Sequence, residues 1–229
     1  MVNFFRQRGV SLALIVLVGF VVVVAESAIS YTFALGDLHG RQGVHAPAFA
    51  VLGQLVRTGL VVGMAALWLL GRKRALFKLV IVGNVIATLV LLLHTVFLAM
   101  AVAGLSFRLV NELLVDVVLM GIINILVFSA WYWIIDPPGV EGETGQDERW
   151  AFLFPQRAGA LPHYETWQPR YLDYLFLAFT TSFAFSPTDT LPLTHTAKML
   201  MLLQAAISVV TLTGIAGSAI NILAGGPAT

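Results

Sequence analysis

Five stretches of this chain stay apolar for longer than a soluble helix requires: residues of about 10–34, 48–70, 77–103, 109–135 and 197–224. An α-helix needs about 20 mostly apolar residues to cross a hydrocarbon core of about 30 Å. Each of the five is long enough. A sixth stretch, 171–186, would reach only about 24 Å at about 1.5 Å per residue. The chain is therefore predicted to be all-α, a polytopic transmembrane helix bundle. It has five or six spanning helices, with segment five (171–186) short or re-entrant.

Composition agrees. Only 11% of the 229 residues are charged, where a soluble domain carries about a quarter. The charges collect between the apolar runs, as the loops of a multi-pass protein require. A net charge of +1 gives no reason to expect nucleic acid. The absence of cysteine removes disulfides, thiol catalysis and cysteine-bound metals. Arg6 and Arg8 precede the first run, and Ala25-Glu26-Ser27-Ala28 weakly imitates a cleavage site. The run is long for a signal peptide and continues to Leu35, so an uncleaved first spanning helix is expected.

Three regions follow. Residues 1–135 form a four-helix body. It ends in the interfacial aromatics Trp131-Tyr132-Trp133 and the stop Asp136-Pro137-Pro138-Gly139. Residues 136–170 form a polar and aromatic loop, expected to lack a folded core, with its aromatic half along the membrane interface. Residues 171–229 form a C-terminal helical hairpin. Lys/Arg placement sets orientation. Arg6, Arg8, Arg72, Lys73, Arg74, Lys78, Arg149, Arg157 and Arg170 fall on one side, and Arg41, Arg108 and Lys198 on the other. Nine against three predicts a cytoplasmic N-terminus in a cell membrane. Six crossings would return the C-terminus to the cytoplasm. A re-entrant segment five would put it outside.

Ionisable residues inside spanning segments are costly and mark candidate sites. Here they are Glu26, Arg57, Glu112 and Asp116, with His94 beside them, all in the half of the bilayer opposite the N-terminus. Glu112 and Asp116 share one helix face, and Asn124 extends it. An arginine facing carboxylates in a low dielectric should be paired. Such a layer either locks the helices together or carries a proton or small cation, with Glu26 and Asp116 as carriers and His94 as relay. Asn84, Thr88, Thr95 and Gln204 suit interhelical hydrogen bonds. His39, His45, His163 and His195 are scattered over loops without metal-ligand spacing. No phosphate loop or catalytic motif is present, so neither an enzyme nor a cofactor is expected.

The last third follows a pattern: Thr180-Thr181, then Asp189-x-x-Pro192-x-Thr194-x-x-Ala197-Lys198, then an apolar helix. It resembles the pore region of two-transmembrane potassium channels over about 50 residues. Ser182-Phe183-Ala184-Phe185 stand where that family has Val-Gly-Tyr-Gly. A carbonyl-lined filter needs glycine's freedom, so a potassium filter is not expected. The wider pattern, Asp173-Tyr174, Phe179-Thr180, Phe185, Thr188-Asp189 and Thr194, is similar to a family of small bacterial integral membrane proteins of unassigned function with a channel-like tail. That resemblance implies a bacterial inner membrane protein and a homo-oligomer around a central axis. Thr180, Thr181, Asp189 and Thr194 are its pore-like residues. Asp189 is read as a cap for the last helix or a cation ligand at the outer turn. Asp173 is read as a cap of segment five or an interfacial anchor. The functional expectation is a channel- or transporter-like protein for a small cation or proton. The alternative is a structural or accessory membrane subunit, partnered by the lipid bilayer and other chains.

Overall fold

The computed structural model describes residues 10–29, 46–103, 110–136, 150–158, 162, 164, 167–184 and 189–223. Long helices dominate: α1 (Val10–Ala28), α2 (Ala46–Leu69), α3 (Lys73–Ala103) and α4 (Val110–Ile135). A two-residue strand β1 (Phe152–Leu153) and a single turn α5 (Pro155–Ala158) follow. Then come the short helix α6 (Tyr171–Ala184), strand β2 (Leu191–Pro192) and the last long helix α7 (His195–Leu223). Helices α1, α2, α3, α4 and α7 each contain a window long and apolar enough to cross a membrane. The protein is a multi-pass helical membrane protein. Helix α6, with 14 residues, spans only about 21 Å.

Side-chain contacts give the antiparallel order. Glu26 meets Arg57 while Gly19 lies by Val61 and Met64. Gly63 faces Leu79, and Gly83 faces Met64. Phe77 packs on Trp133, and Asn84 bonds the Val127 carbonyl. Helix α4 lies at the centre, packed against α1, α3, α6 and α7. Its stripe Asp116, Met120, Asn124, Phe128, Tyr132 and Asp136 is sealed at every fourth residue. Lipid is as apolar as leucine, so association rests on close packing and interhelical hydrogen bonds. Gly214 serves the first: a Cβ there would stand 3.3 Å from Leu98 and 3.4 Å from Val117.

The polar bonds centre on Gln204 of α7. Its Nε2 donates to the Ala178 carbonyl and to Ser182 Oγ, each at 2.8 Å. The Tyr132 hydroxyl donates to its Oε1. Asn124 donates to Ser208 Oγ at 2.9 Å. These bonds tie α4, α6 and α7 through groups that would otherwise be stranded in hydrocarbon.

Helix α6 and the start of α7 lie at one end of the bundle. Phe154 stacks edge-on with Trp167 and Tyr174, and Leu153 and Phe152 of β1 pair with Leu191 and Pro192 of β2. The chain thus enters α6 and leaves it for α7 at the same end as Asp136. Among the described residues, 171–184 and 189–194 start and finish at one end of the bundle, and five helices are long and apolar enough to cross. Three expectations are corrected by this geometry. Asp189 lies at the end shared with Asp136, not at an opposite outer turn. Lys198 lies there too, joining the basic majority. The loop after α4 is not merely interfacial, because Ala151, Phe152 and Phe154 are buried in the core. The reason is the aromatic wedge: Phe152 meets Tyr132 at 5.1 Å and Tyr174 at 6.5 Å.

Helix α6 is two-faced. Tyr171, Tyr174, Leu177, Ala178, Thr181 and Ser182 are buried, while Leu172, Phe176, Phe179 and Phe183 are exposed. Asp173 caps its start: Asp173 Oδ2 accepts from the Arg170 N–H at 2.6 Å, and the Asp173 N–H donates to the Arg170 carbonyl at 2.9 Å as a backbone turn bond. Asp173 is the cap its position suggested.

Candidate functional site

The strongest candidate lies between α1, α2, α3 and α4. Glu26 sits two residues before the end of α1, and its side chain is 1% exposed. Arg57, halfway along α2, brings Nε to 3.3 Å from Glu26 Oε2. The contact is an ion pair without an aligned hydrogen bond. Among the described residues neither Glu26 oxygen nor Arg57 Nε has a hydrogen-bond partner. Arg57 Nη2 donates instead to Gln54 Oε1 at 3.3 Å. The sequence explains the isolation. Glu26 follows the run Val21-Val22-Val23-Val24-Ala25, and of the α3 residues on the cavity wall only Asn84 is polar, its Nδ2 donating to the Val127 carbonyl instead.

That wall borders a partly open cavity of about 50 Å³, lined by Ile15, Val22, Val61, Met64, Val80 and Val127 with Glu26, Arg57 and Asn84 as its polar members. One water requires roughly 10–15 Å³ of such space and two or more polar partners. Room for a few waters is therefore present beside a carboxylate with unused lone pairs. Glycine makes the room: Gly19 and Gly83 both belong to the lining, and a Cβ at either would approach Met64 Cε at 3.6 and 3.4 Å.

The remaining residues of the expected charge layer are distributed as follows. His94, half-buried on α3, is close enough to Arg57 for the two charges to interact. Asp116 is fully buried on α4. It lies eleven residues from the lining residue Val127, which returns to nearly the same helix face about 16 Å away. Glu112 belongs to α4, but its side chain lies outside the described residues. The structure thus joins Glu26 and Arg57, leaves His94 further along α3, and puts Asp116 on the same flank of the bundle.

Thr180, Thr181, Asp189 and Thr194 do not line the α1–α4 cavity. The Thr180 hydroxyl donates to the Phe176 and Leu177 carbonyls, and Thr181 to Leu177. Both satisfy their own helix. Thr194 Oγ1 accepts from the Ala197 N–H at 3.1 Å and so caps α7. Asp189 is exposed and six residues ahead of that helix. The cap expected of Asp189 is Thr194.

A second polar centre escaped sequence reading. Asp136, read only as a helix stop, is 1% exposed and fully engaged. Its Oδ1 accepts from the Ala151 and Phe152 N–H groups at 2.7 and 3.2 Å. Its Oδ2 accepts from Arg157 Nη1 at 3.0 Å and the Tyr174 hydroxyl at 2.6 Å. Arg157 also donates to the Phe152 carbonyl and lies 4.7 Å over the Trp150 ring. This clasp holds β1, α5 and α6 onto the end of α4. The available signal was an Asp-Pro stop followed by an arginine among aromatics, which does not say what pairs with what.

The described residues contain no cluster of acidic or histidine side chains that could hold a metal. Compared with known protein families, curated proteins and solved structures, the chain matches none.

Proposed function

We propose that this membrane protein moves protons across the bilayer, with Glu26 as the carrier in the α1–α4 cavity. One observation carries the reading: a buried carboxylate whose oxygens lack aligned donors, 3.3 Å from a guanidinium and beside a hydratable cavity. Burying a charged pair is costly unless hydrogen bonds complete it, and here they do not. An intramembrane carboxylate held this way is suited to change protonation state. Protonation neutralises Glu26 and ends its pull on Arg57, and release of the proton restores the pair. A proton fits better than a metal cation, because a bound cation would be repelled by Arg57 a few ångströms away. His94 is the relay on the α3 side. The end bearing Arg72, Lys73, Arg74, Lys78, Arg157, Arg170 and Lys198 faces the cytoplasm of a cell membrane, by the excess of basic residues there.

The test is proton uptake by proteoliposomes under an imposed potassium diffusion potential, read with an enclosed pH dye. The native chain is expected to acidify the lumen. Glu26→Gln should slow this at least tenfold, while Asp189→Asn should not change it. Gly83→Leu, which fills the cavity without touching a charge, should also block uptake. Native vesicles that stay as tight as empty ones, or an unchanged Glu26→Gln, would defeat the proposal. A non-transport accessory subunit then becomes the better reading. It already draws support from Thr180 and Thr181, whose hydroxyls donate to carbonyls of their own helix.

A further inference from the structure

The turn between α2 and α3 carries the densest charge of the described residues: Arg72, Lys73 and Arg74, with Lys78 one turn further. Gly71 turns the chain with a φ of 70°, a conformation open to glycine at no steric cost, and α3 begins two residues later. Arg72, Arg74 and Lys78 are exposed, and Lys73 is half-buried. The membrane window of α2 ends at Leu69 and that of α3 begins at Lys73. The basic groups therefore stand where hydrocarbon gives way to headgroups. Neither helix contains an Asp or Glu along its whole length. Arg74 and Lys78 share a face one turn apart, where like charges repel.

The surroundings select the partner. Leu69 and Leu70 are 54% and 71% exposed beside the charges. On α3, three residues past Arg74, Phe77 meets the Trp133 ring at 5.8 Å, an aromatic pair of the kind that settles at membrane interfaces. Cations above exposed leucines match a molecule with an anionic head over acyl chains. We propose that the α2–α3 turn is a docking site for anionic phospholipid, its phosphate held among Arg72, Lys73, Arg74 and Lys78 and its chains against Leu69 and Leu70. The site is independent of the Glu26 cavity and of proton movement.

Lipid retention by the purified full-length chain tests this. Equal amounts of phosphatidylglycerol and phosphatidylcholine are offered in detergent, and the bound ratio is read by native mass spectrometry. Each basic residue near an anionic surface contributes about 1 kcal/mol, or roughly fivefold. The native chain should hold phosphatidylglycerol preferentially. Arg72→Gln or Lys78→Gln should lower the preference roughly fivefold. The variant with all four residues changed to Gln should lose it while keeping its helical circular dichroism. Glycerol 3-phosphate at the same concentration should not compete. Equal retention of both lipids, an unchanged ratio in the fourfold variant, or displacement by glycerol 3-phosphate would overturn the proposal, the last by making the ligand a free phosphate.

Discussion

Glu26–Arg57 and Asp136–Arg157 are both carboxylate–guanidinium pairs, at 3.3 and 3.0 Å, with carboxylates 1% and 0% exposed. They differ in everything around the pair. Asp136 receives four donors, two from backbone, one from tyrosine and one from arginine. Glu26 receives no aligned donor among the described residues and borders a cavity. Full satisfaction makes a buried ion pair rigid and structural. Half-satisfaction leaves a group that can trade its charge at low cost in packing. The same two residue types thus serve as a clasp at the bundle end and as a candidate carrier within it.

The largest expected effect breaks the clasp. Asp136→Ala strands Arg157, the Tyr174 hydroxyl and two N–H groups. It should cost about 3–5 kcal/mol, the usual range when one partner of a buried pair is removed. Thermal unfolding in detergent would report it, and Arg157→Leu should be similarly damaging. Gln204→Leu comes next. It removes the acceptor of Tyr132 and the donor to Ala178 and Ser182. A loss of about 1–3 kcal/mol follows for polar groups left buried and unpaired, measured by the same unfolding. Thr194→Ala removes only the cap of α7 and should cost about 1 kcal/mol, seen as fraying of residues near 195 in hydrogen exchange. Glu26→Gln should cost clearly less than Asp136→Ala: Arg57 loses its counter-charge, but no aligned hydrogen bond is lost and Arg57 keeps Gln54. Its effect belongs to proton uptake. If Glu26→Gln destabilised the protein as strongly as Asp136→Ala, the contrast between the two pairs would collapse.

Much of this arrangement could be read along the chain. The apolar runs foretold all five spanning helices with ends within a few residues, apart from 30–34, which lie outside the described residues. Pairing of Arg57 with a carboxylate followed from the cost of an isolated charge in hydrocarbon, and Gln204 and Asn84 were expected to bond between helices. The role of Asp136 was hidden because its partners stand at 151, 152, 157 and 174. No local pattern links them. Phe152 and Phe154 were hidden for a related reason: aromatics near a membrane boundary suit an interface and a buried wedge equally well.

What the sequence by itself determined is the class of structure: a helix is the economical way to carry 20 or more apolar residues through lipid, and the chain repeats that stretch five times. Segment 171–186 was left undecided by sequence, since about 24 Å is short for a crossing yet long for a turn. Only the tertiary structure settled its course. Pairing of β1 with β2, and stacking of Phe154 on Trp167, hold both ends of the excursion at one face of the bundle. The tertiary structure also separated the two arginine–carboxylate pairs. Residue type determines that a buried carboxylate seeks a cation, but the number of further donors depends on which backbone and side chains the packing delivers to it.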